Sequence, residues 1–435
     1  MSALSTLLLA AVATFGRRDT VRTLEQPLPP AATSYRIQHA FVQCTVHVAT
    51  PGQPPRARLE LAATGGPDAA EERRWLERCG LELDGATATL RTTFPPTEGK
   101  PEALSFAGSL AVWLPAGADV ELESRFGAVT VDGPIGRVTV RSTFSAVAVS
   151  GAQGDVDVRG ENGAISVRDL KGGAQLVTRS ASITAERVGG HVDARTRGGF
   201  VRIQGAGSAH AENLITPVEL LQVKGDATVI APFSEITARD VGGGLTIDGG
   251  NAALVIERVG GSLRVQHRNG KVDVRGVTGS VTVQGNLSTI SVADIGGDVE
   301  VRNPSGAVKI ARVDGKLVAE NSSLALDLSD LRGDVDARTN GGLLRARFGK
   351  LPGDGRAHEL LLEAAGGQIE LDLPADASVE LELVSTSGQL DVGWEGMKFT
   401  QGGGARIGVQ RIGDGKAKLK ATCVGGPVKA RRTGS

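Results

Sequence analysis

From residue 128 onward, apolar and polar positions alternate in short bursts of four or five residues, each closed by a turn. "TISVADIGG" (289–297) and "DVEVRNPSG" (298–306) show the rule: apolar residues stand second and fourth, and glycine ends the unit. The same two positions hold Val138 and Val140, Val156 and Val158, Ile165 and Val167, Val272 and Val274, Val299 and Val301, and Val335 and Ala337. Alternation with period two predicts strands with one buried face. A helix is excluded there by the density of glycine and the missing 3.6-residue stripe.

The units themselves recur. Gly136, Gly154, Gly172 and Gly190 stand 18 residues apart, as do Gly243, Gly261, Gly279, Gly297, Gly315 and Gly333. The gap from Gly190 to Gly243 is 53, three periods less one residue, and the shortfall is expected in "VELLQVKG" (Val218–Gly225). Residues 128–342 thus hold 24 nine-residue units less one residue, or twelve pairs. The two halves of a pair differ at the turn. One half carries an apolar residue two places before its glycine, as at Leu170, Val188, Val241, Val259, Val277, Ile295, Val313 and Leu331. The other reads "RGENG", "RTRGG", "QHRNG" or "RTNGG".

A nine-residue strand and turn cannot bury a Val-x-Val face alone, whereas stacked neighbours make one continuous core. The expected fold class is therefore all-β: a single-stranded parallel β-solenoid of 18-residue, two-strand coils with two unlike corners. At about 4.8 Å per coil, twelve coils span roughly 55–60 Å. A string of antiparallel hairpins leaves the unlike turns unexplained.

Longer, irregular coils are expected to cap both ends, because an open strand edge recruits others. "LPAGADVELES" (Leu114–Ser124) precedes the array and "LPADASVELEL" (Leu373–Leu383) follows it, with eight identities at a constant offset of 259. The expected organisation is a possible signal peptide or apolar segment at 1–19, a β-rich cap at 20–127, the regular repeats at 128–342, C-terminal coils and cap at 343–430, and a disordered tail at 431–435. "LSTLLLAAVATFG" (Leu4–Gly16) has the length of a signal-peptide core and is too short to span a membrane, but Arg17 and Arg18 follow it rather than precede it. A docked apolar segment is the alternative. In the N-terminal cap, "PDAAEERRWLERCG" predicts one helix opened by Pro67 and Asp68 and ended by Gly80, with Trp75 and Leu76 covering core.

Composition narrows the function classes. Aromatic residues make up 3% of the chain, so Val, Ile, Leu and Ala must build the core. Forty-eight basic against 49 acidic residues give no electrostatic case for nucleic acid. Cys44, Cys79 and Cys423 have neither zinc nor C-x-x-C spacing and read as small buried hydrophobes.

Catalytic motifs are missing. His358-Glu359 runs on into leucines, Gly270-Lys271 and Gly315-Lys316 are followed by Val and Leu, and "QGGGARIG" (Gln401–Gly408) reads as a loop between strands. Asp132, Asp248 and Asp314 are too scattered for a calcium β-roll. Asp155, Asp157 and Arg159 could serve a polysaccharide-processing site, yet "DVEVR" and "DVDAR" repeat the set along the chain, as solvated faces would. No catalytic, cofactor-binding or metal-ligating residues are assigned, and no cofactor is expected.

"LAVWLPAGADVELESRFGAVTVDGPIGRVTV" (110–140), the repeated G-x-V-x-V units and "LLLEAAGGQIELDLPADASVELELVSTSGQLDV" (360–392) resemble the bacterial putative-adhesin family, domains of unknown function built from β-strand repeats. The resemblance covers roughly residues 20–430 and implies a β-solenoid, often exported or membrane-anchored, without established catalytic residues. Many members carry Asn-Gly at corners where this chain has Phe126-Gly127, Ser387-Gly388 or Gly-Gly. The expectation is a non-enzymatic protein presenting a long surface in the cell envelope, periplasmic or at the cell surface, for a protein partner or self-association. Poverty in Trp and Tyr weakens a lectin-like role. A polysaccharide-processing enzyme and an intracellular scaffold are the alternatives.

Overall fold

The computed structural model describes residues 20–433 except 97, 99, 350 and 352–357. The N-terminal apolar segment therefore lies outside the described residues. The described chain is all-β with one helix, and it divides into two compact units, residues 1–191 and 192–435. Among the described residues, no helix is long and apolar enough to cross a membrane.

In the first unit, Val138–Ser142 pairs in parallel with Val156–Gly160, setting Val138 opposite Val156 and Val140 opposite Val158. A second parallel ladder runs through Val129–Asp132, Val147–Ser150 and Ile165–Leu170. Each pairing steps forward by 18 residues, as does the bond from the Gly173 amide to Asp155. The second unit repeats the scheme. Val299–Asn303 lies between Val281–Gln284 and Leu317–Asn321, and Val308–Val313 lies between Leu287–Ile295 and Leu326–Leu331. The residues expected to point inward do so: Val138, Val156, Val272, Val299 and Val301 are all buried. This pairing is consistent with the expected parallel solenoid.

The single-residue shortfall lies two units, one full period, earlier than expected. Val201 pairs with Val218, whereas Ala209 pairs with Ala227, so the short unit runs from Val201 to Ala209 and Val218–Gly225 is of full length. "AGSA" (206–209) turns where "VKGDA" (223–227) has one residue more, and the Gly225 amide still reaches the Gly207 carbonyl at 2.7 Å.

The apolar residue before each glycine corner owes its position to a kink in the strand. Asp169 and Arg187 in the first unit, and Asp240, Arg258, Asp294, Arg312 and Asp330 in the second, have φ between 53° and 62°. One left-handed residue puts two side chains outward in succession and returns the next one inward, so Leu170, Val241, Val259, Ile295, Val313 and Leu331 are buried. Non-glycine residues seldom adopt this conformation, with Asp among those that tolerate it best. Arginine answers aspartate across levels: Arg187 bonds Asp169 at 2.6 and 2.9 Å, Arg258 bonds Asp240 at 2.5 and 3.0 Å, and Arg312 bonds Asp294 at 2.5 and 2.8 Å.

The glycines of the 18-residue column are needed for close approach, not for unusual φ. A Cβ on Gly297 would stand 2.7 Å from the Gly279 backbone, one on Gly315 2.5 Å from Gly297, and one on Gly333 2.2 Å from the Gly315 oxygen. Backbone rests on backbone, and a methyl group has no flexible neighbour to displace.

Both ends depart from the simple ladder. In the first unit, Ser34–Ala40 and Gln43–Val48 stack in parallel on Asp119–Arg125 and Val129–Asp132, so regular pairing reaches back past residue 128. Thr20–Pro27, a strand its sequence did not announce, pairs antiparallel with Arg56–Thr64, which pairs antiparallel with Ser105–Leu114. The helix spans Ala69–Glu77; Asp68 caps it by accepting the Glu71 amide at 2.8 Å, and Trp75 and Leu76 are buried.

In the second unit, Ala417–Cys423 inserts between His358–Ala364 and Val379–Ser385. Val428–Thr433 inserts likewise between Gln368–Pro374 and Leu390–Val392. Arg431 to Thr433, expected in a tail, thus finish a paired strand. The echoed "LPA" segments make the same turn, with the Ala118 amide on the Pro115 carbonyl and the Ala377 amide on the Pro374 carbonyl.

Candidate functional site

All but one of the acidic residues singled out in the sequence have partners. Asp155 accepts the Gly173 amide at 2.8 Å, a device repeated by Asp119, Asp226 and Asp298 on the residue 18 further along. Asp157 pairs with Arg159 at 3.2 Å and Asp314 with Arg332 at 2.9 Å, while Asp132 takes the Ser150 hydroxyl. Asp248, the exception, is exposed. His358 meets Asp334 at 3.1 Å. Cys44, Cys79 and Cys423 are free thiols in buried positions, and burial pushes the Cys44 thiol up to about 12. Among the described residues, no three His, Cys, Asp or Glu side chains are grouped to hold a metal. Gln401–Gly408 forms the tip and arm of a hairpin, Lys398–Gly402 with Ala405–Ile412.

Surface chemistry is distributed unevenly between the two kinds of corner. The glycine corner is mostly backbone, with the exposed side chains Lys171 in the first unit and Lys224, Thr278, Asp314 and Arg332 in the second, all polar. The other corner carries exposed apolar side chains: Phe41, Phe126 and Phe144 in the first unit, and Leu214, Ile215, Phe233, Leu287 and Leu324 in the second. Phe126 stacks on Phe41 at 5.4 Å and on Phe144 at 5.0 Å, with ring planes within 11° and 4°, while Phe94 meets Phe41 edge-on at 5.8 Å. The three stacked rings remain 45–54% exposed. Phe126 and Phe41 also have φ near 60°, a conformation glycine or asparagine adopts more readily.

Beside this ladder runs a groove of about 650 Å³ across five strands, walled by Arg91, Arg125, Arg141 and Arg159 with Glu123 and Glu161. In the second unit, a cleft of about 800 Å³ lies on the sheet beneath the Lys398–Gly402 hairpin arm, lined by Glu359, Glu380, Lys418, Lys420 and Val409. The sequence carried one signal of the ladder, the replacement of Asn-Gly by Phe126-Gly127 with Phe144 one period on. Phe41 carried none, because it reaches the stack only through the insertion of Ser34–Val48.

Inside the same corner, buried polar side chains hold the turn. Asn303 donates to the Ser288 carbonyl at 2.7 Å, Asn321 to Gly306 at 2.8 Å, and in the first unit Thr178 to Gly163 at 3.3 Å. His39 lies in this lane, opposite Ser124, yet neither ring nitrogen finds a hydrogen-bond partner. Burial pushes its pKa down to about 4, with the Val42 backbone opposing weakly.

The unfolded chain therefore binds a proton below about pH 6.5 that the fold refuses until about pH 4. Stability is complete above the upper value and falls between the two, by roughly 3 kcal/mol at the acid end. Urea melts are expected to show this acid loss in the native protein and a shallower one in His39→Asn, since asparagine fills the lane elsewhere. An unchanged slope would assign the proton uptake to other groups.

No family model and no curated protein matches the chain. Solved structures do. A putative adhesin from Bacteroides fragilis NCTC 9343 is 11% identical over 67% of this chain and 97% of that one, with a TM-score of 0.25. A putative cell adhesion protein from Clostridium sporogenes ATCC 15579 is 7% identical over 95% and 100%, at 0.18. A putative lipid binding protein from Parabacteroides distasonis ATCC 8503 is 10% identical over 70% and 98%, at 0.22. Putative adhesins thus stand among the solved structures this chain resembles.

Proposed function

We propose that the protein is a non-enzymatic parallel β-solenoid of 18-residue coils, exported to the periplasm or cell surface, whose side-chain-rich corner makes adhesin-like contacts with a protein partner or a second copy. Regular coils would occupy 128–342, with irregular caps at 20–127 and 343–430. The observation that carries the reading is the gathering of exposed apolar residues at one corner, above all the Phe41, Phe126 and Phe144 ladder. Contiguous exposed apolar surface on a soluble fold marks a contact site. The rings lie face to face and present their edges, which suits protein side chains better than the flat face of a sugar.

Phe126→Asn with Phe144→Asn tests this. Asn162 stands at the next level of the same corner, so the fold should persist, and the left-handed position of residue 126 should relax. Sedimentation velocity and binding to envelope fractions are expected to show association weakened by about tenfold or more, as for lost aromatic anchors. Association equal to that of the native protein, with equal melting, would refute the reading.

A further inference from the structure

One outward lane of the second unit is interrupted. The position before the left-handed residue holds Arg239, Glu257 and Arg275 on successive levels, then Ala293, Ala311 and Ser329. Where long side chains fill the lane they pair with each other, as Arg239 does with Glu257 at 3.0 Å. Where alanines replace them, a notch of about 190 Å³ opens over Ala293 and Ala311, rimmed by Arg275, Lys309, Arg312, Ser291 and Asp294. Both alanines point outward and are nonetheless only 8% and 5% exposed, because the longer side chains overhang them.

The hydrogen-bonding inventory of the notch is one-sided. Asp294, its only carboxylate, already takes Nε of Arg312 on one oxygen and Nη2 on the other. Arg312 keeps further N–H donors, and Arg275, paired with Asp273 at 3.2 Å, does too. Lys309 pairs in register with Asp327, but that carboxylate turns to Arg345 at 3.4 Å, and among the described residues no carboxylate comes within ion-pair distance of Lys309. The Ser291 hydroxyl likewise has no partner among them. Every group left over is a donor, and three are cationic.

We propose that this notch binds a tetrahedral oxyanion, a phosphate or sulfate group, with Lys309 and the free N–H donors of Arg275 and Arg312 around it and Ser291 donating its hydroxyl. Planar and spherical donors at several angles suit a tetrahedral anion, and charge assistance makes each bond stronger than a neutral one. The site is separate from the aromatic corner and does not depend on it.

Calorimetric titration of the full chain with inorganic phosphate and with sulfate, at low ionic strength and against chloride, is the direct test. Saturable binding is expected, weakened by about tenfold in Lys309→Ala. It should be abolished in Ala293→Glu, which restores a lane residue opposite Arg275 and fills the notch. Because the same lane accepts Glu257 two levels earlier, both variants should melt like the native protein. Absence of phosphate or sulfate binding overturns the proposal, as does binding that both variants retain. Vesicles containing phosphatidic acid and a sulfated disaccharide distinguish the source: retention on either, lost in Ala293→Glu, assigns the group to lipid or to glycan, and retention on neither leaves the free ion as ligand.

Discussion

A chain lacking residues 280–297 is expected to fold and melt cooperatively, whereas one lacking only 280–288 is expected to lose most of its native stability. The longer deletion joins Gly279 to Asp298 and brings Val299 opposite Leu263 and Val308 opposite Val272, because both deleted strands take their registers with them. Inward residues stay inward, and Gly315 meets Gly279 where it met Gly297. Nearest-neighbour stacking loses one level and keeps the rest. The shorter deletion moves every later unit to the opposite corner. Ile295, Val313 and Leu331 would arrive at the turns held by His267 and Asn303, Asn303 would lose the Ser288 carbonyl, and side chains would be forced into the glycine column. Circular dichroism melts of both chains decide the matter. The half-level variant should melt at least about 10 °C below the full-level one, the equivalent of a few kcal/mol in a unit of this size. Equal melts would mean that the two corners are interchangeable.

Val301→Asp is expected to cost several kcal/mol and Arg302→Gln less than about one. Val301 has no exposed surface and is flanked by Val283 and Ala319 in register. A carboxylate there has neither water nor a cation within the core and must either stay protonated or break the ladder. Arg302 is half exposed and makes ion pairs with Glu300 at 2.9 Å and Glu320 at 3.4 Å, contacts weakened by solvent. Glutamine rather than glutamate is the fair control, since a third carboxylate would crowd the other two. Urea titration of both variants should separate them widely, and similar midpoints would invert the assignment of faces.

What could be read from the chain follows from how local each feature is. The strand faces were legible because Val299, Val301, Val308 and Ile310 sit in a strict alternation that burial enforces. The left-handed kinks were not, because Asp294 and Arg312 look like ordinary polar residues; only the apolar residue after each of them betrayed a break in the period. The short unit was misplaced by two because Ala206 stands directly before Gly207, without the spacer residue found in "VGG" (188–190) and "VKG" (223–225). The insertions of Ala417–Cys423 and Val428–Thr433 are long-range choices that no local pattern encodes. Of the candidate sites, the ladder was signalled only by Phe126-Gly127 in place of Asn-Gly, and the notch over Ala293 and Ala311 was not signalled at all. Phe41, Lys309 and Arg275 join them only in three dimensions.

The glycine column has a consequence for recognition. A partner touching that column would meet the same peptide surface at each step, varied only by the residue before each glycine, such as Thr278, Asp314 or Arg332. The opposite corner changes its lettering at every step, from Phe144 to Asn162 in one unit and from Phe233 to Asn251, Asn269 and Leu287 in the other. One corner is a ruler with few numerals, and the other supplies most of the addresses.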